Sequence, residues 1–241
     1  MIGDIASVRQ MVRATDEALL SVHNVSRVYG RGHHAVTALT NVTFEVRPGT
    51  LGAITGRSGS GKTTLLNLIG GLDTPTAGTI LVVGRDVTRL TERERTVMRR
   101  HDVAFIFQSF ALLPMLSALE NVALALHIAG VSARARQRRA RDVLDMVGLS
   151  ERLDHRPFEL SGGEQERVAI ARALATKAPL ILADEPTGEL DTATGRDIIA
   201  LLVDVVRSQR VSLLVATHDS AVVAASDVAY RLVDGVLQRM E

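Results

Sequence analysis

Residues 56–63 are the segment whose residue types and spacing most directly predict chemistry. They read Gly-Arg-Ser-Gly-Ser-Gly-Lys-Thr, between a short apolar run at 51–55 and an apolar helical pattern from residue 64. This is the P-loop pattern, G-x-x-x-x-G-K-[ST], in the context of a strand and a helix. Its glycines lack the Cβ atoms that would block tight curvature, so backbone N–H groups can converge on phosphate oxygens. The segment is therefore predicted to bind phosphate.

Lys62 and Thr63 supply the charge and the metal-binding hydroxyl of this predicted site. Only Lys62 and Lys177 are lysines among the 28 basic residues. A compact ammonium group reaches phosphate oxygens inside a narrow loop where a planar guanidinium is too large. The neighbouring hydroxyl can bind Mg²⁺. An ordinary Gly/Ser-rich turn is the alternative, and the order of strand, loop, Lys-Thr and helix disfavours it.

Asp184 and Glu185 are adjacent carboxylates that end the apolar run 180–183, and Pro186 follows them directly. Proline stops the strand there, and in a parallel sheet the carboxyl end of a strand faces the ligand crevice. We expect Asp184 to hold Mg²⁺ through water and Glu185 to orient the water that attacks a γ-phosphate. A solvated carboxylate pair without a ligand is the alternative.

Residues 160–165, Leu-Ser-Gly-Gly-Glu-Gln, predict a second anion-binding helix start. Ser161 and Glu164 have the spacing of a capping box, and two glycines expose backbone N–H groups at the helix N-terminus. Capping explains Ser161 and Glu164. It does not explain the glycine pair, which lowers helix stability and has no packing role in the sequence pattern.

The elements around these motifs predict an α/β chain. Apolar residues alternate at 20–28 and 42–46, as in half-buried strands, and 233–236 resembles a hairpin turn. Capping boxes at Thr91 and Ser117 begin helices. Further strands are predicted at 80–83, 103–107, 180–184 and 212–217, and helices at 133–147 and 192–209. The first third is thus mostly sheet, the middle mostly helix and the last third α/β.

Composition restricts the class of protein. A chain of 241 residues with a formal charge of +1 suits one large domain and has no global attraction to nucleic acid. The absence of cysteine excludes disulfides and thiolate metal sites. Residues 1–19 read as a polar leader without the apolar core of a secretory signal, and no apolar run approaches the roughly 20 residues that cross a bilayer. The arginine-rich stretch 134–141 is expected to be a solvated helix face rather than a docking surface for nucleic acid or lipid.

Six motifs in order make the chain, from about residue 20 to 235, resemble the nucleotide-binding subunit of ATP-binding cassette transporters. They are the P-loop, Gln108 after an apolar strand, Leu-Ser-Gly-Gly-Glu-Gln, the Asp-Glu strand, Glu189-Leu190-Asp191 and Thr217-His218-Asp219. The resemblance implies a P-loop NTPase (RecA-like) core with an antiparallel β subdomain and an inserted α-helical subdomain. It places the ATPase domain at residues 20–241 and the helical subdomain at about 109–160.

The resemblance also assigns roles to residues. Tyr29 would stack on adenine, with a strand-end aromatic whose hydroxyl lies in water as the alternative. Gln108 would contact Mg²⁺ and the attacking water, and His218 would bind the γ-phosphate. Ser161 and Gly163 would act on ATP held by a second copy, in a head-to-tail dimer with two ATP molecules at its interface. The predicted catalytic residues are Lys62, Gln108, Glu185 and His218; the nucleotide-binding residues are Tyr29, Gly56, Arg57, Ser58, Gly59, Ser60, Gly61, Lys62, Thr63, Thr64, Ser161, Gly162 and Gly163; the Mg²⁺-binding residues are Thr63, Gln108 and Asp184.

The implied function is ATP hydrolysis that drives a separate membrane permease, by a peripheral homodimer on the cytoplasmic face of the cell membrane. Residues 67–73 and 107–114 resemble the branch with lipoprotein-release, macrolide-efflux and cell-division ATPases, which favours export or mechanotransmission. Ala111 and Glu189 depart from that branch, which usually has Asn at both positions. The side chains expected near the groove for the permease, with core packing as the alternative, are Phe110, Leu112, Leu113, Met115 and Leu116.

Two other functions compete with this one. A soluble cassette ATPase acting on nucleic acid or ribosomes would typically have tandem cassettes, coiled-coil insertions or zinc modules, and the sequence has none, so no nucleic-acid partner is expected. A nucleotide-sensing scaffold would require damaged catalysis, whereas Lys62, Glu185 and His218 are intact.

Overall fold

The computed structural model describes residues 18–240, so the predicted leader lies outside the described residues except for its last two positions. The strands are β1 (Leu20–Tyr29), β2 (Val36–Val46), β3 (Leu51–Thr55), β4 (Ala77–Val82), β5 (Arg85–Asp86), β6 (Val103–Ile106), β7 (Leu180–Asp184), β8 (Ser212–Thr217), β9 (Val228–Val233) and β10 (Val236–Arg239). The helices are α1 (Lys62–Ile69), α2 (Glu92–His101), α3 (Ala118–Ile128), α4 (Ala133–Met146), α5 (Gly162–Ala175), α6 (Thr192–Gln209) and α7 (Ser220–Ala225).

The strands form two sheets. One has the order β10-β9-β3-β8-β7-β6, and its pairs are parallel except for the β9–β10 hairpin. The other is antiparallel, in the order β2-β1-β4-β5. Because β3, β6, β7 and β8 are parallel neighbours, the segments that follow their carboxyl ends meet at one edge of the sheet. That edge carries the P-loop, Gln108, Glu185 and His218.

The parallel sheet lies between two apolar layers. Leu180 and Leu182 of β7 pack on the side of α1 and the antiparallel sheet, whereas Ile181 and Ala183 pack on the side of α3 to α7. Successive side chains of a strand point to opposite faces, so a continuous apolar run marks a strand buried on both faces. This burial on both faces holds the carboxyl end of β7, with Asp184, in a fixed place.

Most of the sequence patterns are confirmed with small shifts at element ends, and β2 is the exception. Side chains of Thr91, Ser117 and Ser161 each accept the backbone N–H three residues later, as the capping boxes predict. The hairpin turn at 233–236 joins β9 to β10. Strand β2 begins at Val36, earlier than predicted, because its first residues are exposed and carry little apolar signal.

The interpretation of the arginine-rich stretch as a solvated face is wrong for one of its members, Arg139. Arg139 donates from Nη2 to the carbonyl oxygen of Leu174 at 2.9 Å, at the C-terminal end of α5. Arg136 donates to Nδ1 of His127 at 2.9 Å, but this contact is exposed and agrees with a solvated face. A cation is favourable at the C-terminal end of a helix, where carbonyl groups lack partners, so Arg139 ties α4 to α5.

Candidate active site

A cleft of about 580 Å³ opens at the carboxyl edge of the parallel sheet, and this volume suits a small-molecule ligand. The residues that line it are Val36, Thr37, Ala38, Gly56, Arg57, Ser58, Gly59, Gly61, Lys62, Thr63, Thr64, Gln108, Glu185, Gly188 and His218. The structure therefore brings the P-loop together with all four predicted catalytic residues. Tyr29 and residues 161–163 do not line this cleft.

Two glycines let the P-loop pass close to neighbouring strands. A Cβ atom on Gly61, where φ is +105°, would lie 2.6 Å from the carbonyl oxygen of Ala38. A Cβ atom on Gly56 would lie 2.4 Å from the carbonyl oxygen of Leu232. Both distances are too short for real atoms, so the loop path requires glycine at these positions. Inside the loop, the buried hydroxyl of Ser60 has no hydrogen-bond partner.

Lys62 lines the cleft, and its side chain is mostly buried. It donates to the carbonyl oxygens of Gly56 at 2.9 Å and Arg57 at 3.3 Å. Its third neighbour is Oε1 of Glu185, at 3.3 Å. The side chains of Lys62 and Glu185 are only 8% and 14% exposed, so this ion pair is weakly screened by solvent.

Glu185 is held from several sides. Its backbone N–H donates to the carbonyl oxygen of Ala216 at 2.8 Å, and its carbonyl oxygen accepts the N–H of Gly188 at 2.9 Å. Oε2 accepts the backbone N–H of His218 at 3.2 Å and lies 2.7 Å from Nδ1 of the same residue. A φ of +48° places Glu185 in the left-handed region, which non-glycine residues adopt mainly where surrounding structure requires it. Lys62, Glu185 and His218 thus form one connected chain of polar groups.

Asp184 is a partly buried carboxylate beside this chain. Its Oδ1 atom is buried and has no hydrogen-bond partner. Burial raises the pKa of the Asp184 carboxyl, and the charge of Glu185 raises it further, while the Thr63 hydroxyl and the Lys62 ammonium oppose the rise. A divalent cation next to Asp184 and Thr63 would offset both unfavourable effects. The donor set therefore fits Mg²⁺.

Residues 39–188 match the family model described as ABC transporter, which is more than half of the chain. The chain belongs to the ABC transporter family.

Proteins of similar sequence match this chain over nearly its whole length. An uncharacterized ABC transporter ATP-binding protein of Thermotoga maritima is 46% identical over 92% of this chain and 95% of its own. The lipoprotein-releasing system ATP-binding protein LolD 2 of Caulobacter vibrioides is 45% identical over 92% of this chain and 97% of its own. The ATP-binding cassette MJ0796, in a dimeric post-hydrolysis structure with ADP and Pi, is 41% identical, with a TM-score of 0.85 and coverage of 92% and 97%.

These likenesses confirm the ABC transporter family, the P-loop NTPase fold and the ATP-hydrolysing class that the sequence predicts. This chain is an ATPase subunit of an ABC transporter. A soluble cassette ATPase acting on nucleic acid or ribosomes is not favoured, because the relatives are transporter subunits.

The second helix start of this ABC subunit lies outside the cleft. Ser161 is exposed and caps α5, as predicted. The expectation that the glycine pair has no packing role is wrong for Gly163, since a Cβ atom there would lie 2.4 Å from Cγ2 of Thr194. A Cβ on Gly162 would come within 3.3 Å of Leu190. Glycine at position 163 is therefore needed for α5 to approach α6.

Three charged side chains that stand out in the structure were not identified from the sequence. Arg27 and Asp73 form an ion pair next to Tyr29, and Glu166 is a fully buried carboxylate in α5. Arg27 stands two residues before Tyr29, a spacing that places both on one face of a strand. Glu166 occupies an apolar position of the α5 pattern, four residues before buried Ile170. Spacing alone could have drawn attention to both.

Proposed function

We propose that two copies of this ABC ATPase subunit close head-to-tail around two ATP molecules and thereby drive a membrane permease from the cytoplasmic face of the membrane. The observation that carries the proposal is the separation of the two anion-binding helix starts. The P-loop lines the cleft, whereas Ser161 is exposed and outside it. A second copy can present its own Ser161 to that cleft, which agrees with the dimeric form of the cassette MJ0796.

Within the cleft, the residues present fit ATP with Mg²⁺. The P-loop N–H groups and Lys62 would hold the phosphates. Thr63, Asp184 and Gln108 would hold the cation, which when bound neutralises charge on the phosphate oxygens. Among the described residues, no cluster of three or more acidic or histidine side chains could hold a metal unaided. Cation binding is therefore expected to depend on phosphate oxygens as additional ligands.

Glu185 and His218 are placed for hydrolysis. The Glu185 carboxylate faces the cleft and can accept a proton from water, as a general base does. His218 lines the same cleft, and its Nδ1 lies 2.7 Å from that carboxylate. A neutral imidazole has one N–H, so the ring can hold Glu185 in place or, once nucleotide is bound, donate that N–H to a phosphate oxygen instead.

A groove next to the helical region is the proposed docking surface for the permease. A cavity of about 340 Å³ there is lined by both apolar and basic residues: Arg99, Arg100, Val103, Ala104, Phe105, Phe107, Ala111, Ala125, Ile128, Arg172, Ala173 and Thr176. None of the five side chains expected near the permease groove lines this cavity. Among those five, Met115 and Leu113 are 73% and 47% exposed, while Leu112 packs on the core. The groove fits an amphipathic helix that carries acidic residues.

The permease would supply the membrane-crossing part. No helix within residues 18–240 is long and apolar enough to cross a bilayer. Likeness to the Caulobacter vibrioides lipoprotein-releasing subunit supports export or mechanotransmission as the work performed.

Mixed dimers test the shared site directly. In a Glu185→Gln background, Lys62→Ala removes the phosphate-binding ammonium and Ser161→Arg blocks the second helix start. We expect each variant alone to remain monomeric with MgATP. A mixture contains one heterodimer in which an intact P-loop faces an intact Ser161, so native mass spectrometry should detect that heterodimer with bound ATP.

The control is the Glu185→Gln protein without further changes, which should dimerise with MgATP. If ATP were bound by one chain alone, mixing would add nothing and no heterodimer would form. That result would contradict the head-to-tail arrangement even if both variants were correctly folded.

A further inference from the structure

The Tyr29 ring is fixed by its hydroxyl at the end of β1. That hydroxyl donates to Oδ2 of Asp73 at 2.8 Å, while about 40% of the residue stays exposed. A tyrosine at a strand end ordinarily keeps its hydroxyl in water. Here the hydroxyl is bound to a carboxylate, so the ring has a defined position before any ligand is considered.

Arg27 supports the same ring from one face. Its guanidinium donates to both carboxylate oxygens of Asp73, from Nε at 3.0 Å and from Nη2 at 2.7 Å. The guanidinium carbon lies 4.4 Å from the centroid of the Tyr29 ring, within the range of a cation–π contact. A bidentate pair has strict geometry, so Arg27, Tyr29 and Asp73 form a rigid unit that we name the ring support.

Asp73 connects the ring support to the helix that begins in the P-loop. Its backbone N–H donates to the carbonyl oxygen of Asn67 in α1 at 3.3 Å, and the N–H of Leu72 donates to the same oxygen at 2.8 Å. Oδ1 also accepts the N–H of Thr74 at 2.7 Å. The position of the Tyr29 ring is thereby set relative to the phosphate-binding loop.

We propose that Arg27 and Asp73 are positioning residues that hold the Tyr29 ring as a stacking platform for a purine base, at a fixed distance from the P-loop. The inference rests on the proposed binding of ATP and on the stacking of Tyr29 on adenine that the family resemblance implies. A guanidinium behind the ring draws π-electron density, which favours stacking of an electron-rich purine on the opposite face. Every base has a π-face, so the ring support raises affinity for adenine and guanine nucleotides alike.

Binding measurements separate base from phosphate recognition. For Arg27→Ala we expect about five- to tenfold weaker binding of MgATP and of MgGTP, since cation–π contact and ring order are lost. Binding of inorganic tripolyphosphate with Mg²⁺ should stay unchanged, because the P-loop is intact. Arg31→Ala, at an exposed arginine near the same strand end, is the matched control and should bind all three ligands as the wild type does.

A second comparison places Arg27 and Tyr29 in one unit. Tyr29→Ala should weaken ATP binding at least as much as Arg27→Ala does, and the double variant should be no weaker than Tyr29→Ala alone. Asp73→Asn keeps an acceptor for the hydroxyl but loses the ion pair, so its loss of affinity should be intermediate.

The chain has two tyrosines and no tryptophan. In a Tyr230→Phe background, ATP should therefore quench tyrosine fluorescence that comes only from Tyr29, and Arg27→Ala should reduce that quenching.

The outcomes distinguish the inference from the function on which it rests. If Tyr29→Ala binds ATP as tightly as the wild type, the stacking role of Tyr29 fails and the ring support has no ligand. If Tyr29→Ala weakens ATP binding but Arg27→Ala does not, only the positioning role is wrong. If Arg27→Ala lost the same affinity for ATP and for tripolyphosphate, Arg27 would affect binding by stabilising the fold and not by positioning the ring. The milder Arg27→Gln covers the case in which Arg27→Ala unfolds.

Discussion

Glu185 performs two functions at the scale of single residues, because the carboxylate proposed to activate water is also the counter-ion of Lys62. The distance of 3.3 Å and the low exposure of both side chains make this pair an obstacle to phosphate binding. A phosphate must take over the ammonium that Glu185 already contacts. Removing the charge of Glu185 is therefore expected to change affinity and turnover in opposite directions.

Glu185→Gln should bind MgATP about fivefold more tightly, equivalent to about 1 kcal/mol for a mostly buried pair. Hydrolysis should fall by about 10²- to 10⁴-fold, because the amide cannot accept a proton. Calorimetric titration and phosphate release measure the two effects. Glu189→Gln, at a nearby exposed carboxylate, is the control. It should change neither the affinity for MgATP nor the rate of hydrolysis strongly. Weaker ATP binding by Glu185→Gln would count against competition for Lys62.

The buried carboxyl of Glu166 has an energetic effect that depends on pH. Both of its oxygens are buried without a hydrogen-bond partner. Burial raises the pKa of Glu166 from 4.5 to about 8; the Arg172 guanidinium opposes the rise and the Glu189 carboxylate adds to it. The folded state thus binds this proton more tightly than the unfolded state does. Stability should fall as pH rises from about 4.5 to 8 and then level off.

Glu166→Gln removes this titration and keeps the size of the side chain. We expect the variant to gain stability relative to the wild type as pH rises, by up to about 3 kcal/mol at pH 7. The two proteins should differ least near pH 4.5. Urea unfolding at several pH values between 5 and 8.5 measures the difference, with Glu164→Gln in the same helix as a control. A constant difference across this range would mean that Glu166 is not the titrating group.

At the scale of elements, local sequence patterns predicted what short-range physics determines. The capping boxes at Ser117 and Ser161 depend on residues three apart, and the buried strand 180–184 on a run of apolar side chains. The P-loop and the two carboxylates at the carboxyl end of β7 also follow from local sequence. What local patterns did not predict are contacts between distant segments, such as Arg27 with Asp73 or Gly163 with Thr194. These require knowledge of which faces of separate elements meet.

Gly163 separates a local expectation from a tertiary one. Helix propensity alone predicts that Gly163→Ala stabilises α5 by up to about 1 kcal/mol. The approach of 2.4 Å to Cγ2 of Thr194 predicts the opposite, a loss of about 1–3 kcal/mol, because the α5–α6 contact must open. Urea unfolding of Gly163→Ala shows whether the variant is more stable or less stable than the wild type.

A double variant isolates the clash. Thr194→Ser removes Cγ2 but keeps the hydroxyl that donates to Oδ2 of Asp191 at 2.6 Å. If the clash causes the loss, Gly163→Ala with Thr194→Ser should recover most of the stability. Failure of Thr194→Ser to rescue would place the cost elsewhere in the helix start.

At the scale of the whole molecule, helix α5 and the segment after Gln108 connect the active site to the proposed docking groove. Arg172 of α5 donates to the carbonyl oxygens of Phe110 and Ala111, in the segment that follows Gln108. Phe110 and Ala111 have φ values of +58° and +49°, so this segment is held in a conformation that non-glycine residues rarely adopt. Ala111 and Arg172 also line the groove. A movement of Gln108 at the cleft is therefore expected to shift residues that line the groove.

This arrangement predicts that docking and nucleotide-driven closure can be separated. Ile128 is 51% exposed and lines the groove, away from the cleft residues. Ile128→Glu places a charge where an apolar side chain of the permease would pack, so co-purification with the permease should fall at least about tenfold. Dimer formation by Glu185→Gln with MgATP should persist when Ile128→Glu is added. Met146→Glu, at an exposed methionine outside the groove, is the control for added charge. If both variants reduced co-purification with the permease equally, the docking surface would lie elsewhere.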